Sequence, residues 1–144
     1  MTEPSEKRKR TLALHARAIR FSTNVNECCP RYFSNAPSKT VWENLVEAAD
    51  STSNNLIEAD DASSDADFLA KMGIALREAK ESRVGLLKLR LGNLDHYGKT
   101  ANLELESEAT QLSAIFAAII RNMTARLNDE EASRKSRKKR RQIP

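Results

Sequence analysis

"LELESEATQLSAIFAAIIRNMTARLN", residues 103–128, places apolar side chains at Leu105, Ala109, Leu112, Phe116, Ile119, Met123 and Leu127. The steps are 4, 3, 4, 3, 4 and 4 residues. That is the period of one helix face, whereas a strand would alternate every second residue. Ile115 and Ile120 widen the arc beyond a narrow seam. Such an arc suits a bundle core, or a core face plus a second surface against another subunit. The stretch therefore predicts a helix over 103–128 that needs helical neighbours.

Working outward, three more helices emerge. Phe68, Met72, Ala75, Ala79, Ser82, Leu86 and Leu89 recur at three- and four-residue spacing, which predicts a helix over 65–91. Ser64 and Asp67 can cap its start, and the acidic turn "DDASSDAD" suits the positive end of a helix dipole. Gly73 and Gly85 interrupt it, either through drift or because another helix comes close. Upstream, Val41, Leu45, Ala48 or Ala49, Thr52 and Leu56 mark a helix over 39–59, with Thr40 and Glu43 as a capping box. Its second half is polar. The first helix is expected over 8–27, with Leu12, Ala16, Ile19 and Thr23 on its inner stripe and Pro30 ending it.

The ends differ from the middle. Lys7, Arg8, Lys9 and Arg10 form one basic run; "RKSRKKRR" at 134–141 contributes Arg134, Lys135, Arg137, Lys138, Lys139, Arg140 and Arg141. The formal net charge is +4, yet residues 11–133 hold thirteen basic against eighteen acidic residues, a net of −5. Basic arms on a mildly acidic body describe the chain better than one broad basic face. The apolar signal stops after Asp129. The expected organisation is a flexible N-terminus over 1–7, a four-helix bundle over 8–128, and a basic, disordered tail over 129–144.

Few function classes survive. Gly and Pro total eight, and aromatics are 5% of the chain, too few for a sandwich or barrel. The longest apolar run, Ala114–Ile120, falls well short of the roughly 20 residues that span a bilayer. No secretory leader pattern is present, so a cytoplasmic protein without a membrane partner is expected. Cys28 and Cys29 are adjacent and expected as free thiols. His15 borders the first helix stripe, and His96 sits in a loop beside Asp95 and Tyr97. No metal-ligand spacing, phosphate loop or nucleophile–base pattern accompanies them. Asp60, Asp61, Asp65 and Asp67 lack the glycine and terminal glutamate of a calcium loop. No catalytic residue, metal or cofactor is expected, and the chain is read as a non-enzyme.

The stretch from Asn55 to Ser82, "NLIEADDASSDADFLAKMGIALREAKES", resembles the signature of the four-helix bundle proteins encoded in intervening sequences of bacterial 23S rRNA genes. The matching positions are Asn55, Glu58, Ala59, Ser64, Asp67, Phe68, Ile74, Ala75, Leu76 and Glu81. The resemblance implies an all-α, antiparallel up-down four-helix bundle assembled as a ring-shaped homo-oligomer, a pentamer by analogy. A related branch comprises the accessory proteins of diversity-generating retroelements, which bind nucleic acid and a reverse transcriptase. The signature is structural, carried by Asn55, Glu58, Phe68, Ala75 and Glu81. Asn55 and Glu58 share a helix face, and Glu81 lies on the next helix, so a polar lock between the two is expected.

Three functional readings follow. The first is an oligomeric scaffold that holds RNA or single-stranded nucleic acid through its basic ends. The tail has no aromatic residue, so recognition would fall on the backbone, with little sequence preference. The second is an adaptor that docks on a polymerase such as a reverse transcriptase. The third is an assembly in which the acidic segment 60–67 engages the tail.

Overall fold

The computed structural model describes residues 2–144, and all regular structure among them is helical. The elements are α1 (Glu6–Cys28), α2 (Ala36–Asp60), α3 (Asp65–Leu91) and α4 (Lys99–Arg141). Three of the four start on a side-chain cap that satisfies an orphan N–H. Ser5 accepts from the Arg8 N–H, Asn35 from the Ser38 N–H, and Ser64 from the Asp67 N–H. The cap at Ser64 is the one anticipated above. Helix α2 begins three residues earlier than expected because Asn35, rather than Thr40, caps it, with Pro37 in its first turn.

Cross-helix contacts fix the topology. Glu58 meets Lys71 across the short α2–α3 turn, and Leu45 lies against Gly85 farther along, so these helices run antiparallel. Arg8 meets Asp60, and Asn26 meets Asp50, which makes α1 antiparallel to α2. Arg90 meets both Asn102 and Glu106, which turns α4 back along α3. Helices α2 and α3 share the largest interface; α1 packs mainly on α2 and lightly on α4.

The core runs through all four helices. Trp42, Phe21, Phe116, Leu45, Met72, Leu86, Leu89, Leu112 and Val25 are fully buried. The stripes expected for α2 and α3 are inside, with Val41 and Phe68 half-buried. So are Leu105, Ala109, Leu112 and Phe116 of α4, while Ile119 is half-buried at the bundle's edge. Helix α1 is rotated from expectation. His15, Ala18, Phe21, Ser22 and Val25 face inward, and Leu12 and Ile19 remain 42% and 47% exposed. Polar partners on its neighbours explain the rotation. Arg17 forms a two-pronged pair with Glu108 at 2.5 and 3.0 Å and a bond to Gln111 at 2.8 Å. On the other flank, Ser22 and Asn26 both donate to Asp50. The inward face also buries Phe21 and Val25, a larger apolar gain than Leu12 and Ile19 would give, and the polar bonds add to it.

The polar lock between helices also sits elsewhere than expected. Asn55 donates back to Ser51 within α2, Glu58 pairs with Lys71 at 2.9 Å, and Glu81 is exposed. The α2–α3 register explains this: Glu81 faces the Ala48–Ser51 segment, roughly two turns from Asn55. The lock lies between α3 and α4 instead. Buried Asn102 donates to the Leu86 carbonyl at 3.1 Å and accepts from Arg90 at 3.2 Å, and Arg90 reaches Glu106 at 2.5 Å.

The two interior glycines of α3 separate cleanly. A Cβ on Gly85 would stand 3.2 Å from Leu45 Cβ, so this glycine permits the close approach of α2. A Cβ on Gly73 would meet nothing within 4 Å. Gly73→Ala should therefore stabilise the fold by about 0.5–1 kcal/mol through helix propensity alone. Gly85→Ala should gain nothing or lose stability, because Leu45 must shift. Paired thermal unfolding curves of the two variants check this contrast.

Candidate nucleic-acid interface

The basic segments gather at one end of the molecule. Met123 lines a cleft with Ala59, Asp60, Ser63, Ser64 and Phe68, so α4 is there level with the α2–α3 turn. Beyond it the helix continues to Arg141 with no residue buried and Leu127 alone half-buried. At 1.5 Å per residue, the overhang from Thr124 is about 27 Å long. Lys7–Arg10 lie in the opening turns of α1, which the Arg8–Asp60 pair at 2.5 Å places beside the same turn. The N-terminal cluster thus stands at the root of the overhang.

Helix over 129–141 departs from the disordered tail expected from the sequence, and α1 starts two residues before the expected Arg8. Lys7 belongs to α1, and residues 129–141 belong to α4. The reason is local. No glycine or proline occurs between Gly98 and Pro144, and Glu, Ala, Lys and Arg are strong helix formers. Glu131 precedes Lys135 by four residues and bonds it at 2.7 Å, the favourable order. That contact holds the Glu131 carboxyl below the usual carboxylate range. Lys138–Arg141 in the final turn suit the negative end of the helix dipole.

Helical geometry sorts the charges. Arg134, Arg137, Lys138 and Arg141 fall on one face at i, i+3, i+4 and i+7, flanked by Lys135 and Arg140, with Lys139 behind. At the root, Arg8 is spoken for by Asp60, and Lys9 by Glu3 and Glu6 at 2.9 and 3.2 Å, which raise its pKa. Lys7 and Arg10 make no ion pair among the described residues, and neither do Arg134, Arg137, Lys138, Lys139, Arg140 and Arg141. The open cations therefore stand mainly on the overhang, away from the acidic body.

The remaining candidates are structural. Among the described residues, no group of His, Cys, Asp and Glu is placed to hold a metal ion, and no helix is long and apolar enough to cross a membrane. Cys28 and Cys29 are free, half-buried thiols whose pKa values burial pushes up. His15 is buried in the α1 face. Glu81 shares an open groove of about 550 Å³ between α2 and α3 with Glu78, whose carboxyl is raised by burial and then by Glu81.

Asp95, read above only as a neighbour of His96, is a staple. Its carboxylate accepts from the Ser34 N–H at 3.0 Å and from the Ser38 hydroxyl, and its carbonyl accepts from the Trp42 indole N–H at 3.0 Å. The α1–α2 and α3–α4 loops are thereby tied at the end opposite the overhang. Nothing in the sequence pairs positions 34, 38 and 95; only the serine-rich start of α2 hints at an acceptor.

Together these features define a class: an all-α, four-helix protein with a long basic helical overhang. No protein-family model matches the chain, and no curated protein matches it. Among solved structures, its fold is similar to that of a protein of unknown function from the S23 ribosomal protein family of Bacteroides thetaiotaomicron. The TM-score is 0.54 at 24% identity, over 78% of this chain and 95% of that one.

Ser38 and Ser34 hold the Asp95 carboxyl below its ordinary range. A carboxyl depressed in the folded state adds stability above its unfolded pKa, and that contribution is lost as pH falls through the folded value. Asp95→Asn should melt earlier than the parent at pH 7, and the gap should close as pH drops below about 4. Melting curves across pH 2.5–7 test it; a gap of constant size would contradict the assignment.

Proposed function

We propose that the protein is a non-enzymatic oligomeric scaffold that holds RNA or single-stranded nucleic acid on its basic helices. The observation that carries this reading is the display of Arg134, Arg137, Lys138, Lys139, Arg140 and Arg141, which make no ion pair among the described residues, on a helix that has left the acidic bundle. Phosphate binding by such a row is salt-sensitive and indifferent to sequence. Like charges at i and i+4, such as Arg134 with Lys138, strain the free helix, and a polyanion relieves that repulsion. The fold neighbour's family name, ribosomal, accords with RNA as the polyanion.

The α1 stripe supports the oligomer. Leu12, Ala16, Ile19 and Thr23 share one outward face, which a second copy of the chain would cover. Several overhangs on one body would raise effective concentration and convert weak contacts into useful affinity.

Two measurements test these claims separately. Replacing the seven basic residues of 134–141 by Gln preserves helix propensity and removes the charge. In fluorescence anisotropy with single-stranded RNA, the parent should lose about three-hundredfold in affinity between 50 and 200 mM salt if some six phosphates are engaged. The Gln variant should bind far more weakly, with a nearly flat salt response; unaltered binding would refute the interface. Leu12→Asp with Ile19→Asp should convert the oligomer to a monomer in light scattering with helical circular dichroism intact.

A further inference from the structure

The chain has seven aromatic residues. Phe21, Trp42 and Phe116 are buried, and Phe33 and Phe68 are half-buried. Tyr32 and Tyr97 are 81% and 63% exposed. They lie on different loops, 65 positions apart in sequence, yet both belong to the end of the bundle remote from the overhang. The Asp95 staple brings them together. Tyr32 stands two residues before Ser34, Tyr97 two residues after Asp95, and Ser34 bonds Asp95 directly. Chain geometry then holds the two Cα atoms within about 20 Å. Asn93, Asp95 and Gly98 take φ values of 51°, 50° and 52° in one short turn, which hangs on buried Trp42 through the Asp95 carbonyl.

We propose that this end is a stacking platform for unpaired nucleobases, with Tyr32 and Tyr97 as its rings. The proposal rests on the nucleic-acid reading above and extends it to a second site. Charge favours it. The segments 29–39 and 91–101 carry Arg31, Lys39 and Lys99 against one carboxylate, Asp95, which Ser34 and Ser38 already engage. Lys39 leans on Glu43 at 3.8 Å, whereas Arg31 and Lys99 make no ion pair among the described residues. Arg31 and Lys99 are thus two unpaired cations at an end that Glu27, Glu43 and Glu104 border. The Arg31 guanidinium stands over one face of the Tyr32 ring, 5.8 Å from its centre, which leaves the other face of the phenol for a base. Exposed aromatic rings and guanidinium planes are the groups on which splayed bases stack. Exposed Leu91 is the apolar companion at this end, too little to form the dry centre of a protein interface. The basic overhang has no aromatic residue from Arg134 to Pro144, so the two ends divide the work: phosphates at one, bases at the other.

The test uses the full-length chain and two probes of equal length, single-stranded oligouridylate and an RNA duplex, in anisotropy at fixed low salt. The parent should prefer the single strand. Tyr32→Ala with Tyr97→Ala should lose about tenfold per ring for the single strand and leave duplex binding unchanged. Tyr32→Phe with Tyr97→Phe should restore single-strand binding, since the ring and not the hydroxyl is used. Crosslinking of 5-bromouridine oligomers should map to residues 32 and 97. If the Ala pair binds single strands as the parent does, or loses both probes alike, the platform is refuted and the surface belongs to another partner or to none. The 134–141 Gln variant separates the two sites. Sensitivity to the Gln changes but not to the tyrosine changes sinks the platform alone. Sensitivity to the tyrosines alone sinks the overhang and keeps the platform.

Discussion

Backbone continuity in α4 is the constraint on which the charge layout of this molecule depends. The packed core ends near Phe116, but the helix does not, because nothing between Gly98 and Pro144 breaks it. A glycine or proline near Met123 would let the basic segment fold back toward Asp60–Asp67. An unbroken helix instead holds like charges at fixed distances from an acidic body. Tertiary packing contributes nothing to that last stretch, so propensity, the Glu131–Lys135 pair and the dipole must sustain it. Isolated helices of such length are marginal in water, and the overhang is the part of the fold most responsive to a bound polyanion.

Within the bundle, polar pairs do what apolar stripes alone do not. Leu, Ala and Phe positions specify that four helices pack; they leave rotation and register loosely determined. Arg17 on Glu108 and Gln111, and Asp50 under Ser22 and Asn26, turn α1. Asn102 on the Leu86 carbonyl sets α4 against α3. The α2–α3 seam has no comparable side-chain bond at its middle and relies on the close approach of Leu45 to Gly85. One seam is set by shape and the others by hydrogen bonds.

That division explains what could be read in advance. Helices α3 and the buried half of α4 were legible because large apolar residues recur there without competition. Helix α1 offers two weak faces; the one that holds Phe21 and Val25 goes inside, and Asp50 and Glu108, far away in sequence, bind its polar flanks where no local pattern registers them. The basic residues of 134–141 are visible as chemistry, but their order is not: apolar periodicity stops after Asp129, and the helix goes on through propensity, the Glu131–Lys135 pair and the dipole. The Asn55–Glu58–Glu81 lock failed on register, since residues on adjacent antiparallel helices meet only where the turn length allows. Nothing in the sequence relates Tyr32 to Tyr97; the bond from Ser34 to Asp95 joins their loops.

Trp42 gives that junction a further property. It is the one tryptophan of the chain, it is buried, and its indole N–H rests on the Asp95 carbonyl at 3.0 Å. Indole emission therefore reports on a single pole of the molecule, while the basic overhang, which has no aromatic group, is optically silent. Far-ultraviolet ellipticity, by contrast, weighs every turn of all four helices. A disparity between the two signals during denaturation would reveal which pole loosens first, so the chain comes with its own spatially resolved probe.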